Sequence, residues 1–249
     1  MQLPKAVIFD LDNTLAEAFH PPRPEMLHLL ERLIARIPVA LMSAASLERI
    51  QRDVLPGFSN EVDFSGLRLF TANAAQCYVY EGNLWLQIYA FGFTPEEHAI
   101  IRDALIASVE ETGVTEDTKK YGDQIVDYEG YVAFTALGLG APKEERNAWD
   151  SDKQKRQKLR TVLKEKLPQF DVYIGGATSV DVTPKGINKS YGVREYAKQL
   201  TLNPSDMLYV GDALYPGGND EVVIATGVQT RSVSGPDETP RVIEDLLAT

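Results

Sequence analysis

Two aspartates one residue apart, Asp10 and Asp12, close the short apolar run Val7-Ile8-Phe9, and Thr14 follows them. The β-branched residues predict a buried strand that delivers carboxylates at its C-terminal tip. Open α/β sheets bind ligands at those tips. Residues i and i+2 of a strand share a face, so the spacing predicts that Asp10 and Asp12 address one reacting centre. Two carboxylates buried together need a compensating proton or cation. Magnesium, which takes hard oxygen ligands, is the expected partner.

Three later clusters repeat the pattern of a strand ending on polar residues. Leu41-Met42-Ser43-Ala44-Ala45-Ser46 places a hydroxyl, Ser43, beside a helix start, where it would hold a phosphate oxygen; Ser46 reads as the helix N-cap. Asp181-Val182-Thr183-Pro184-Lys185-Gly186-Ile187-Asn188-Lys189 ends a strand and enters a helix. An ammonium at Lys189 would neutralise a phosphoryl oxygen and a nucleophilic carboxylate, against the alternative of a solvated first-turn lysine. Lys185 competes for that role, but the spacing to the helix favours Lys189. Tyr209-Val210-Gly211-Asp212 ends another strand on an acid, and Gly217-Gly218-Asn219-Asp220 follows. Asp212 suits a metal, whereas Asn219 and Asp220 would alternatively cap the next helix.

These residues need a scaffold that brings strand tips together. Apolar residues recur at helical spacing over 24–36, a strand runs over 37–42, a helix lies near 46–54 and a strand over 67–71. This βαβαβ rhythm predicts a parallel sheet with helices on both faces. From about residue 76 the texture changes to hairpins and helices. Strands at 76–80 and 84–89 flank Glu81-Gly82-Asn83, a helix spans 95–111, strands lie at 124–127 and 131–136, and a charged helix runs from 150 to 167. Strands at 171–174 and 179–182 follow. After Thr183 the rhythm returns, with helices at 186–200, 218–225 and 238–247 and strands at 207–210 and 228–231. The expected organisation is a discontinuous core, 1–83 and 184–249, interrupted by an α+β unit over 84–183.

In this order the four clusters resemble the haloacid dehalogenase (HAD) superfamily, whose nucleophile motif is Asp-x-Asp-x-Thr. The insertion between the second and third clusters resembles the C2-type cap of subfamily IIB. The loop Gly211-Asp212-Ala213-Leu214-Tyr215-Pro216-Gly217-Gly218-Asn219-Asp220 resembles, more narrowly, that of eukaryotic-type phosphomannomutases. The resemblance implies an α/β fold: a three-layer Rossmann-like HAD core with a parallel sheet plus an inserted α+β cap domain. It also implies roles. Asp10 would attack phosphorus and become an aspartyl-phosphate. Asp12 would act as general acid and then base. Magnesium would sit on the Asp10 carboxylate, the Asp12 carbonyl and Asp212. Thr14, Ser43 and Lys189 would hold phosphoryl oxygens. Asn219 and Asp220 would place the metal waters and Lys189.

A mutase must also grip the distal phosphate of a bisphosphate, a task suited to arginine. At the positions where phosphomannomutases supply arginines from the cap, the chain carries Tyr121, Glu129 and Leu139. Ser43-Ala44-Ala45 departs both from the glycine and arginine that often follow the hydroxyl in subfamily phosphatases and from the Gly-Gly-Ser of the mutases, and Asn73-Ala74 replaces an Asn-Gly pair common in the subfamily; neither departure removes a catalytic group, and both blur the branch. The expected activity is therefore a magnesium-dependent phosphatase for a small phosphate monoester such as a sugar phosphate, with phosphomannomutase as the alternative. Tyr121, Tyr128, Tyr131 and Arg146 are candidates for specificity. A silent binding module would have no need of Asp10, Asp12, Lys189 and Asp212 together.

Composition bounds the partners. The 249 residues carry a net charge of −11, which disfavours nucleic acid as the main ligand. The single cysteine, Cys77, excludes an intrachain disulfide. His20, His28 and His98 lack metal-site spacing. The chain opens on Met-Gln-Leu-Pro and enters its first strand, with no signal-peptide pattern and no apolar run of spanning length. A cytoplasmic protein without membrane contact is expected. The insertion's exposed charges would alternatively serve a homodimer.

Overall fold

The computed structural model describes residues 3–128 and 130–249. Its elements run β1 (Ala6–Phe9), α1 (Pro24–Ile34), β2 (Val39–Met42), α2 (Leu47–Asp53), β3 (Leu67–Thr71), β4 (Gln76–Glu81), β5 (Leu84–Ala90), α3 (Pro95–Thr112), β6 (Ile125–Tyr128) and β7 (Tyr131–Thr135). Then follow α4 (Lys143–Trp149), α5 (Gln154–Lys166), β8 (Phe170–Ile174), β9 (Ser179–Pro184), α6 (Lys189–Leu200), β10 (Met207–Gly211), α7 (Glu221–Ile224), β11 (Gln229–Ser232) and α8 (Thr239–Leu247). Two compact units result. The first comprises the residues up to Ala90 with Asn188–Pro216 and Asp220–Thr249; the second comprises Phe91–Ile187 with Gly217–Asn219.

The first unit is a seven-stranded sheet in the order β11-β10-β1-β2-β3-β4-β5. β11 through β3 are parallel, and β4 and β5 are antiparallel additions. Alternation along β1 sorts its side chains. Val7 and Phe9 join Met26, Leu30 and Leu33 of α1, Ile50 of α2 and Val242 and Ile243 of α8 on one face. Ala6 and Ile8 join Val193 and Tyr196 of α6 and Val223 of α7 on the other. Burial on both faces explains why these strands read as unbroken apolar runs. α6 lies close enough that a Cβ at Gly192 would meet Ala74 at 2.7 Å.

The hairpin over 76–90 differs from its expected place. Its first strand falls in the expected core and its second in the expected insertion, yet β4 pairs with β3 and β5 with β4, so both extend the central sheet. The expected boundary at 84 thus falls between two strands of one hairpin. Its turn is legible locally: Gly82 (φ 58°) and Asn83 (φ 64°) supply the two positive φ values that a tight I′ turn requires. Which sheet the hairpin joins is decided by distant pairing.

The second unit is a four-stranded antiparallel sheet, β6-β7-β9-β8. Val132, Phe134, Val172, Val180 and Val182 pack beneath Ile101 and Leu105 of α3 and Leu159 and Leu163 of α5. Thr94 and Glu97 form a reciprocal capping box at the start of α3, and Gly113 (φ 64°) ends it. The charged helix expected from 150 starts only at Gln154. Asp150 is buried and accepts from the Arg156 side chain at 2.8 Å and from the backbone N–H groups of Lys155 and Arg156. It thereby satisfies free N–H groups of the first turn and leaves α4 as a separate helix. No helix of the described residues is long and apolar enough to cross a membrane.

Candidate active site

β1 ends at Phe9, and Asp10 stands just beyond it, 5% exposed. Its backbone N–H bonds Val210 O, which ties the tip of β1 to that of β10. Lys189, the first residue of α6, is 1% exposed. Asn188 caps that helix by accepting from Ser190 N and Tyr191 N. Lys189 is thus free of capping duty, and its ammonium donates to Asp10 Oδ1 at 2.6 Å and to Asp220 Oδ1 at 2.6 Å. The solvated-lysine alternative does not hold. Lys185 instead pairs with Asp171 at 3.0 Å, and its side chain is 62% exposed.

Asp220 is the hub of the network. Its Oδ1 also accepts from the Tyr209 hydroxyl at 2.6 Å, and its Oδ2 accepts from Ala213 N at 3.1 Å. It occupies the N-cap position of α7 but makes no side-chain cap bond, so capping is not what holds it. A Cβ at Gly211 would collide with Asp220 Oδ2, which explains a residue without a side chain at the tip of β10. Asn219 is half-buried and takes no part in these bonds among the described residues.

Thr14 links the two acidic strand tips. Its hydroxyl lies 3.3 Å from Asp10 Oδ2 and 3.4 Å from Asp212 Oδ1, and it accepts from Asp212 N at 3.0 Å. Ser43, 1% exposed, follows β2 and accepts from Ala45 N at 3.1 Å, which leaves its O–H proton to donate. Its carbonyl accepts from Asn73 N at 2.9 Å. That contact comes from an unusual turn in which Ala72, Asn73 and Ala74 all have positive φ (50°, 57° and 69°). Left-handed backbone is costly for a residue with a Cβ, so this segment stores strain beside the β2 tip. Ser46 caps α2 as expected, accepting from Arg49 N.

The strand stops before both aspartates, and Asp12 has a partner that the sequence pattern does not name. Asp10 turns to Lys189 on α6, whereas Asp12 pairs with Arg49 of α2, which packs on the opposite face of the sheet. Arg49, Phe19 and Tyr209 are residues of this neighbourhood to which sequence reading gave no role.

The electrostatics follow from burial. Burial pushes the Asp10 carboxyl well above the usual range; Lys189 opposes the rise, while Asp220 and Asp212 add to it. Burial raises Asp212 to about 6, reinforced by Asp220 and opposed by Lys189. Burial alone would lower the Lys189 ammonium, but Asp10 and Asp220 more than reverse this, so it stays charged. Asp10, Asp212 and Asp220 each bring a carboxylate oxygen within 4.8 Å of the others, around one lysine. That excess of negative charge and its all-oxygen donor set fit a hard divalent cation. Asp220 is the acid most committed to protein donors, which leaves Asp10 and Asp212 as the freer pair.

The other candidates lie elsewhere. In the second unit the Tyr121 hydroxyl donates to Glu145 at 2.5 Å, and Tyr128 and Tyr131 stack with ring centres 4.6 Å apart. Glu129 lies outside the described residues. A cavity of about 740 Å³ in that unit, lined in part by Arg102, Leu105, Lys120 and Phe134, contains none of the residues of the four clusters. Burial raises the Cys77 thiol to about 11, which suits an inert core residue.

A parallel sheet flanked by helices, an aspartate and a lysine meeting beside its strand tips, and a separate α+β unit are the features that the resemblance to the HAD superfamily implies. Solved structures agree on the fold. An IMP-bound Plasmodium falciparum IMP-nucleotidase superposes with a TM-score of 0.72 at 17% identity, covering 99% of this chain and 68% of that one. The C-terminal domain of a Candida albicans trehalose-6-phosphate phosphatase gives 0.68 at 14% identity, covering 99% and 92%. The family model for eukaryotic phosphomannomutase matches residues 26–249. The phosphomannomutase of Schizosaccharomyces pombe is 27% identical over 94% of this chain and 90% of its own length; that of Saccharomyces cerevisiae is 25% identical over 97% and 93%. The chain belongs to the eukaryotic phosphomannomutase family. The family match begins after Asp10, Asp12 and Thr14; of these, Asp10 is the one to which Lys189 donates.

Proposed function

We propose that the protein transfers phosphoryl groups of phosphorylated sugars through Asp10, in the manner of a phosphomannomutase. The observation that carries this is the buried Lys189 ammonium held between Asp10 and Asp220 at the sheet's strand tips. Asp10 Oδ1 is pinned by that ammonium at 2.6 Å, whereas Oδ2 has the longer 3.3 Å contact with the Thr14 hydroxyl and is the oxygen that would attack phosphorus. Lys189, Thr14 and Ser43 offer donors to the phosphoryl oxygens, at no reorganisation cost during the reaction. Asp12 protonates the departing sugar oxygen and later takes the proton of the incoming hydroxyl. Asp220, braced by Tyr209 and Ala213, keeps Lys189 aimed at Asp10. Asp10 and Asp212 would hold Mg²⁺, with the Asp12 carbonyl as a third donor. When bound, that ion offsets the repulsion between an anionic carboxylate and an anionic phosphate.

Membership of the family favours transfer between sugar hydroxyls over transfer to water, which reverses the order of the two expectations. Hydrolysis stands as the second reading: the resemblance sets Tyr121 and Leu139 where a mutase would place arginines, and the Tyr121 hydroxyl donates to an acid, Glu145. Incubation with mannose 1-phosphate, Mg²⁺ and a hexose bisphosphate activator separates the two. Mannose 6-phosphate as the main product supports the mutase. Free phosphate without the 6-phosphate refutes it in favour of the phosphatase.

A further inference from the structure

We propose that Arg49 is a positioning residue for this reaction, clamping Asp12 so that one defined carboxylate oxygen, Oδ2, meets the sugar oxygen. The inference rests on the reading of Asp12 as general acid and base. Arg49 Nη2 donates to Asp12 Oδ1 at 2.6 Å and Nη1 to Oδ2 at 2.7 Å, a bidentate pair. Such a fork fixes the plane of the carboxylate as well as its distance, which a point charge does not do.

The clamp is itself held. Arg49 sits in the first turns of α2, with its backbone N–H on Ser46 Oγ. Its Nε lies 3.8 Å from Asp53 Oδ2. Its guanidinium carbon lies 5.2 Å from the centre of the Phe19 ring, a cation–π contact. Phe19 returns to Asp12 from the other side, donating its backbone N–H to Oδ1 at 2.9 Å from a left-handed conformation (φ 66°). The pair is mostly shielded, with side-chain exposures of 14% for Arg49 and 25% for Asp12.

Counting lone pairs shows what this arrangement leaves. A carboxylate has about four acceptor sites. Oδ1 spends two, on Arg49 and Phe19. Among the described residues Oδ2 accepts from Arg49 alone, so one site remains open on that atom. Without Arg49 only the Phe19 N–H would hold the carboxylate, through one oxygen, so its plane would no longer be fixed and the proton donor would be in place for only a fraction of encounters.

A purely structural tie between α2 and the loop at 12–19 would affect every substrate alike; a positioning role would not. Departure of a sugar alkoxide needs a proton, whereas departure of 4-nitrophenolate does not. The quantity kcat/KM reports the steps through departure of the leaving group. We therefore expect Arg49→Met to lower kcat for a hexose phosphate by about 30-fold with KM within twofold. Its kcat/KM for 4-nitrophenyl phosphate should stay within about threefold of wild type. Arg49→Lys keeps the charge without the fork and should recover to within about tenfold of wild type on the hexose phosphate. Equal losses on the two substrates, or no loss on the hexose phosphate, would overturn the proposal. Should Arg49→Met fail to fold, Arg49→Lys and Arg49→Gln carry the same two-substrate comparison. If wild type is active but Asp12→Asn matches it on the hexose phosphate, the acid–base reading falls, and this inference with it.

Discussion

Replacing Lys189 by methionine would keep the volume of a fully buried side chain and remove the cation between two buried carboxylates. In the wild type the ammonium makes two charge-assisted bonds of 2.6 Å, with Lys189 1% exposed and the side chains of Asp10 and Asp220 7% and 0% exposed. Breaking a buried ion pair by removing one partner costs about 3–5 kcal/mol, because the remaining charge is stranded in low dielectric. Here two are stranded, although Tyr209 and Ala213 still serve Asp220. A domain is typically stable by only about 5–15 kcal/mol, so the variant should fold marginally. A loss of that size lowers the melting temperature of the first unit by on the order of 10 °C. The loss also has a pH signature. With Lys189 gone, burial, Asp212 and Asp220 all raise the Asp10 carboxyl, so its protonation stabilises the folded form. The gap to wild type should therefore narrow as pH falls from 7 to 5. Urea unfolding of metal-free protein at the two pH values reads both effects. A loss under about 1 kcal/mol at pH 7, or a gap that widens on acidification, would refute the assignment of Lys189 as the charge that permits Asp10 to be buried.

Three other outcomes are expected. The folded Asp212 carboxyl is raised to about 6 by burial, then by Asp220. The stability it contributes is present below the unfolded value near 4 and is lost as pH rises through about 6, by no more than about 3 kcal/mol. Metal-free Asp212→Asn should gain on wild type across that window in paired urea titrations, and parallel curves would contradict the shift. Tyr209→Phe removes one donor from Asp220 Oδ1 and should cost about 1–2 kcal/mol, with a fall in kcat and little change in KM; unchanged kcat would show that Asp220 needs no brace. Ala74→Gly relieves a left-handed alanine (φ 69°) and should stabilise the protein by about 0.5–1 kcal/mol, visible as a rise in melting temperature; a fall would mean that the Ala74 methyl packing against α6 outweighs the backbone strain.

The parts of this molecule that were legible in its sequence are those set by short-range physics. The β1 run, the period of α1, the Gly82-Asn83 turn and the Ser46 cap each depend on a few neighbouring residues. Lys189 could be preferred over Lys185 because a lysine at a helix start is carried by the helix to a defined place. What stayed hidden depends on pairing across the chain. Arg49 looks like any solvated arginine on a polar helix until Asp12, 37 positions earlier, is placed beside it. Tyr209 reads as one more aromatic in a buried strand, and only the fold turns its hydroxyl onto Asp220. The hairpin over 76–90 was recognisable, but its sheet was not, since β3–β4 pairing is not written in the hairpin itself.

The central claim is that the Asp10 carboxylate carries the phosphoryl group. Acid-quenched enzyme, taken during turnover of a hexose phosphate with Mg²⁺, can be reduced with borohydride, which converts an aspartyl-phosphate to homoserine. Peptide mass spectrometry should then find homoserine at position 10, and none in Asp10→Asn treated alike. Turnover with Asp10 unmodified, or with the label on another residue, would contradict the account.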